Sequence, residues 1–160
     1  MTAPAHYDPL ASGAGWTARR VKSDTYLVSV DSGSEVVAAL NDFLAAHGIS
    51  SGRVSGIGAV SRAVLRFFDF ETKGYVDQPF DEQMELSNLT GNVARKGDRT
   101  VLHAHATLGR ADYTALAGHL SAATIHGAGE FYVVFSDVPV LKTHRDDLGL
   151  DIYDLSLTSA

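Results

Sequence analysis

The start of the chain alternates apolar and polar positions and then changes to a helical spacing. Alternate apolar residues within residues 18–31 predict a strand with one buried face. These residues are Tyr26, Val28 and Val30. A helix is predicted next, with Ser34 as its N-cap and Gly48 as its C-cap signal. The apolar residues at helical spacing between them are Val36, Val37, Leu40, Phe43 and Leu44.

After this helix the chain consists of short β-rich runs separated by glycine, aspartate and asparagine. The predicted strands cover residues 51–57, 61–70, 74–80, 83–95, 99–108, 123–136 and 149–157. A doubly wound sheet is excluded because it alternates strand and helix throughout. We therefore predict an α+β fold, a mostly antiparallel β-sheet of about seven to eight strands with one principal α-helix on a face.

Length, charge and composition limit the classes of protein. A chain of 160 residues fits one domain, and we expect a flexible lead-in over residues 1–17 and a single domain over residues 18–160. The formal charge of −6 opposes the binding of phosphate groups. The chain has no cysteine, so a bound metal would need imidazole, carboxylate or water ligands. The absence of disulfides and of a secretory signal fits a cytoplasmic protein.

Three histidines are the most function-like feature of the sequence. His103 and His105 lie two positions apart in a predicted strand, so their side chains project from the same face. His119 follows after one connection that can return it to that face. Three neutral imidazoles with an open position describe a catalytic type of zinc site. The alternative, which spacing alone leaves open, is that these are hydrogen-bonded core or surface histidines.

Two other segments contain residues that could take part in catalysis or in ligand binding. Glu130 begins an apolar stretch and could orient a metal-bound histidine or act as a base, although a plain strand-end carboxylate is the alternative. His126 could be a further ligand, but it fits a loop residue better. The glycines in residues 55–61 superficially resemble a dinucleotide loop, yet a third glycine and a following helix are missing. Those glycines instead indicate a tight turn or close backbone packing between strands.

Taken in order, five motifs resemble the PPC domain family, named for a domain conserved in plants and prokaryotes. They are Ser55–Arg66, Met84–Gly91, Leu102–His105, Gly118–Leu120 and Gly129–Glu130. The likeness covers roughly residues 20–157, and the ordered set is specific although each motif alone is weak. The resemblance implies a largely antiparallel sheet with one principal helix, and assembly as a homotrimer.

The histidine motifs resemble the prokaryotic branch of this family. There the resemblance implies a metal ion, zinc or another divalent ion, at His103, His105 and His119. Plant members join the domain to AT-hook segments that bind the DNA minor groove, but the Arg-Gly-Arg-Pro core of such a hook is absent from this sequence. Three hypotheses follow: a metal protein, with hydrolysis and Glu130 as base if it is an enzyme; a DNA-binding or regulatory protein; and a trimeric scaffold without activity.

Overall fold

The strands and the single helix follow one another in an order that places most of the β-structure after the helix. The computed structural model describes residues 8–156. The elements are β1 (Ala11–Gly13), β2 (Trp16–Lys22), β3 (Thr25–Asp31), α1 (Val36–Ala46), β4 (Gly52–Asp69), β5 (Gly74–Phe80), β6 (Met84–Lys96), β7 (Arg99–Gly109), β8 (Ala115–Phe135), β9 (Lys142–Arg145) and β10 (Leu150–Tyr153). This confirms the predicted α+β class with one principal helix.

Eight of the strands form one sheet in the order β1-β2-β3-β8-β7-β6-β4-β5. Every strand pairing within this sheet is antiparallel. An additional pairing between β8 and β4 closes β4, β6, β7 and β8 into a ring. The buried side chains of these four strands are apolar. The remaining strands, β9 and β10, form a separate hairpin.

Helix α1 packs on the first strands through a cluster of aromatic rings. Phe43 is fully buried, and its ring lies 5.2 Å from that of Trp16 and 5.3 Å from that of Tyr26. Trp16 Nε1 donates a hydrogen bond of 2.7 Å to Asp42 on the helix. Burial of large aromatic side chains with a satisfied indole N–H is a strong packing contribution. Among residues 8–156, no helix has the length and apolarity needed to cross a membrane.

The prediction of a flexible lead-in over residues 1–17 is wrong for residues 11–13 and 16–17. Residues 11–13 form β1, and β2 begins at Trp16, which is 2% exposed. The segment has no apolar run, so its pattern gave no strand signal, yet Trp16 packs against α1 and β2 pairs with both β1 and β3. Residues 1–7 of this expected lead-in lie outside the described residues.

The N-cap of α1 is Glu35 and not the predicted Ser34. The Glu35 carboxylate accepts hydrogen bonds from the backbone N–H groups of Val37 and Ala38, and also from that of Ala123 on β8. Ser34 instead joins α1 to β8, because its carbonyl oxygen accepts a hydrogen bond from the Ile125 N–H. The longer carboxylate side chain can satisfy three donors at once, which a serine hydroxyl cannot. The predicted C-cap glycine, Gly48, has the expected positive φ of 63°.

Several strand boundaries differ from the predicted ones. The predicted strands 51–57 and 61–70 are one strand, β4, and β8 runs without interruption for 21 residues from Ala115. Register shifts in β4 between Gly56 and Gly58 and on either side of Val60 mark bulges. Bulges bend a strand without ending it, so glycine-rich positions that predicted loops lie inside long bent strands.

Candidate metal centre

The three candidate histidines meet on one outer face of the ring. His105 on β7 pairs directly with His119 on β8, and His103 lies two positions earlier on β7. The ring centroids are 5.2 Å apart for His103 and His105, 4.9 Å for His103 and His119, and 5.6 Å for His105 and His119. One nitrogen from each ring lies within 4.8 Å of the others. The predicted shared face is therefore observed.

Small residues behind the histidines explain why the imidazoles face outward. Ala104 and Ala106 alternate with the histidines along β7 and are buried inside the ring. A Cβ on Gly91 of β6 would lie 2.8 Å from the carbonyl oxygen of His103, and one on Gly118 would lie 3.1 Å from the carbonyl oxygen of Arg66. The glycines thus allow the backbones to approach closely, and the strand alternation sends the bulky rings to the other side.

His103 and His119 are held in the form that binds metal. The pKa of His119 is lowered from 6.5 to about 4, first because the ring is withdrawn from water and then because positive charge on His103 or His105 would repel a proton. Burial, followed by the charges of Lys142 and His105, also lowers the pKa of His103. Both rings are therefore neutral at pH 7, and neutral imidazole is the metal-ligating form.

A metal ion fits this donor set. His119 Nδ1 is buried without a hydrogen-bond partner, and so is the Asn92 side-chain oxygen on β6, at the position that pairs with His103. A buried polar atom with no partner costs about 1–3 kcal/mol, which a ligand at this position would recover. Zinc bonds of about 2.0–2.1 Å require nitrogens about 3.3 Å apart in a tetrahedron, so small ring rotations would bring the three donors together. The alternative of hydrogen-bonded core histidines leaves His119 Nδ1 unexplained.

Basic and aromatic side chains surround the histidines in a cavity of about 720 Å³. Lys142 on β9 is 9% exposed, and its Nζ lies 3.5 Å from His103 Nδ1. The Tyr75 ring lies 5.2 Å from that of His119. Sequence patterns missed Lys142 because four-residue β9 was not predicted, and only its position after the apolar residues 138–141 hinted at a strand.

Glu130 does not lie with the histidines. It is exposed on β8, eleven positions after His119, which corresponds to about 35 Å at the rise of a regular strand and somewhat less across the bulge between them. It pairs with Ser29 and Ile57 and lines a different concave surface. His126 is also exposed and outside the histidine group. The structure corrects the expectation of Glu130 as a base beside the histidines, because a long, bulged stretch of β8 separates Glu130 from His119.

The metal-free protein is expected to lose stability as pH falls from about 6.5 towards 4. In that window the unfolded His119 binds a proton while the folded one stays neutral, so added protons favour the unfolded chain. Urea unfolding of the wild type and of His119→Gln, each at about pH 7 and about pH 4.5, measures this contribution. The variant should lose less stability than the wild type, since the aspartates with lowered pKa values are common to both. Equal losses would contradict the expectation.

Comparisons with known proteins identify relatives of the whole chain. A crystal structure of a candidate DNA-binding protein from Bacteroides thetaiotaomicron is 45% identical, with a TM-score of 0.86, over 89% of this chain and 99% of that one. That of a metal-containing protein from Archaeoglobus fulgidus is 30% identical, with a TM-score of 0.76, over 82% and 93% of the respective chains. A search of curated proteins finds no match.

A third solved structure and a family model give the same assignment. A plant- and prokaryote-conserved (PPC) protein from Pyrococcus horikoshii is 26% identical, with a TM-score of 0.76, over 90% of this chain and 96% of that one. The model of the Plants and Prokaryotes Conserved domain matches residues 19–136. This span includes all three histidines and the five ordered motifs. The chain therefore belongs to the Plants and Prokaryotes Conserved (PPC) domain family, as the motifs predicted.

Proposed function

We propose that this PPC-domain protein binds one divalent metal ion, zinc or a similar ion, through His103, His105 and His119. The observation that carries the proposal is the meeting of three imidazole nitrogens within 4.8 Å, one ring having a buried nitrogen without a partner. The description of the Archaeoglobus relative as metal-containing supports it. Three protein ligands leave one coordination position open towards the cavity.

The residues around the open position determine what the site can do. The three histidines would hold a zinc ion that would supply Lewis acidity and could activate a water molecule. Lys142 and Tyr75 can orient a ligand at that position, because both line the same cavity as the histidines. Metal-assisted hydrolysis is the reaction class that this donor set suits, and it would need a base other than Glu130. We therefore propose a metal-dependent ligand site in a cytoplasmic protein and assign no substrate.

Metal content tests the proposal directly. Purified protein saturated with zinc and then freed of loosely bound metal is expected to retain one zinc per chain by elemental analysis. A strong chelator should remove it, and cobalt should replace it with the visible absorption of a four-coordinate ion. Zinc content far below one per chain after saturation would refute the site.

We also propose that the chain assembles as a homotrimer, as its family resemblance implies. An exposed apolar patch supports self-association: Leu27, Ile57 and Tyr132 are 39%, 55% and 55% exposed on adjacent strands. Exposed apolar patches of this kind mark interaction surfaces. Light scattering is expected to give three times the chain mass of 17.0 kDa. Ile57→Asp should lower that mass. Tyr113→Asp is the control, because Tyr113 lies in the turn after β7, and it should leave the mass unchanged. A wild-type protein with the mass of one chain would contradict the proposal.

DNA binding is the alternative suggested by the description of the Bacteroides relative. Affinity for duplex DNA depends on clustered lysine and arginine that displace counterions. This chain has a formal charge of −6, and Lys96, in one of its few basic pairs, is held by Asp151 at 2.6 Å. No comparable observation favours DNA over metal, so the histidine site remains the proposed function.

A further inference from the structure

The charge balance of the histidine cavity favours an anion. Three neutral imidazoles would leave both charges of a divalent ion uncompensated. Among the described residues that line the cavity, Asp151 alone carries a carboxylate. Asp151 is already paired with Lys96 at 2.6 Å and with His144 Nδ1 at 2.8 Å. A ligand at the open position would therefore meet excess positive charge.

Lys142 adds a second positive charge beside the histidines. Its ammonium group contacts His103 Nδ1 at 3.5 Å and lies 5.5 Å from the centroid of the Tyr153 ring. Within residues 8–156 it has no carboxylate within 4.0 Å. A largely buried ammonium group without an anionic partner is costly. An anion placed between the metal position and Lys142 would contact both and reduce their mutual repulsion.

An aromatic strip leads from the histidines towards solvent. The Tyr75 ring lies 5.2 Å from that of His119, the Phe68 ring 5.0 Å from that of Tyr75, and the Phe70 ring 5.0 Å from that of Phe68. Tyr75 and Phe70 are 43% and 67% exposed, so the strip offers accessible aromatic surface. Such rings bind planar apolar groups by stacking and edge contacts. The cavity of about 720 Å³ has room for a ligand with a ring.

We propose that this cavity binds a small carboxylate with an aromatic body, its carboxylate between the metal position and Lys142 and its ring against Tyr75 and Phe70. The inference rests on the proposed metal site and deepens it by naming a ligand class. Inorganic anions share the charge but not the apolar body, and neutral aromatic compounds share the body but not the charge. The two halves of the proposal can therefore be tested separately.

The full-length protein loaded with cobalt allows both halves to be measured. Cobalt content is determined first. The protein is then titrated with 3-phenylpropionate, acetate or 3-phenylpropionamide, and binding is measured by the visible spectrum and by calorimetry. We expect 3-phenylpropionate to bind and to change the cobalt spectrum. Acetate should bind about tenfold more weakly or worse because it lacks the ring, and the neutral amide about tenfold more weakly or worse because it lacks the charge.

Matched variants assign the effects to residues. Lys142→Met should weaken binding of 3-phenylpropionate by about tenfold or more, whereas Lys22→Met, with the same charge change at the exposed end of β2, should not. Phe70→Ser should weaken 3-phenylpropionate by about threefold or more and leave acetate unchanged. Tyr113→Ser, altered at an exposed aromatic residue outside the cavity, is its control. If Lys142→Met fails to load cobalt or to fold, Phe70→Ser, which changes an exposed residue, still tests the ligand inference.

The outcomes separate this inference from the metal proposal. Failure of the wild type to take up cobalt overturns the metal site and the ligand inference with it. A fully loaded protein that responds to none of the three compounds overturns the ligand inference alone. So does equal affinity for 3-phenylpropionate and acetate, or an unchanged affinity in both Lys142→Met and Phe70→Ser.

Discussion

Replacing His105 by alanine is expected to lower the affinity for zinc by about a hundredfold or more. Structural zinc sites contribute roughly 10–16 kcal/mol over four ligands, so one imidazole accounts for about 3 kcal/mol. His105 is the most exposed of the three histidines, and its removal disturbs packing least. His119→Ala should have an equal or larger effect on zinc affinity, because His119 is less exposed than His105 and has a buried Nδ1 without a hydrogen-bond partner.

Competition with a chelator of known zinc affinity measures these differences. His126→Ala is the matched control, since His126 is an exposed histidine on β8 outside the group. The circular dichroism of the metal-free variants should match that of the metal-free wild type, which separates loss of a ligand from loss of the fold. Wild-type zinc affinity in both His105→Ala and His119→Ala would remove these residues from the site.

The shared face of the histidines could be predicted because it depends only on strand alternation. Two residues separated by one position point to the same side of any strand, whatever the sheet. The return of His119 to that face needed one antiparallel connection, and β7 and β8 supply it with His105 opposite His119. Local periodicity was therefore enough to place the three histidines on one face, although it could not show that the rings actually meet.

The surroundings of the site could not be predicted, because they depend on contacts distant in sequence. Lys142 reaches His103 only because β9 folds back beside β6, and Leu141 forms a bridge with Arg95. Glu130 was a candidate base because it is a carboxylate that begins an apolar stretch, and its distance from the histidines could not be read from that pattern. The continuous β8 strand shows that nearness in sequence order gives no nearness in space when the intervening residues are extended.

Glycine positions gave the most ambiguous local signal in the sequence. Gly56 and Gly58 fit either a tight turn or a close approach between strands by pattern. The bulged course of β4, which pairs with β6 on one side and β8 on the other, shows that close approach is their role. The distinction required knowing which strands flank β4, and no local pattern contains that information.

Gly56→Ala is expected to be among the most destabilising single changes in the molecule. A Cβ at Gly56 would lie 2.3 Å from Phe131 Cδ1 and 2.4 Å from the carbonyl oxygen of Glu130. Phe131 is 2% exposed and cannot turn away into solvent, and the Glu130 backbone is fixed because it also pairs with Ser29 on β3. Neither neighbour can move without loss of core packing or of sheet hydrogen bonds.

Overpacking of this kind costs about 1–3 kcal/mol, and a clash with backbone on one side and a buried ring on the other puts Gly56→Ala at about 3 kcal/mol or above. For a chain of this length that corresponds to a fall in Tm of roughly 6–12 °C, measured by thermal unfolding of the metal-free protein. Gly74→Ala on β5 is the control, because its added Cβ would meet only ordinary contacts at 3.7 Å and beyond. If the two variants were equally stable, the close approach of β4 to β8 at Gly56 could not be what requires glycine there.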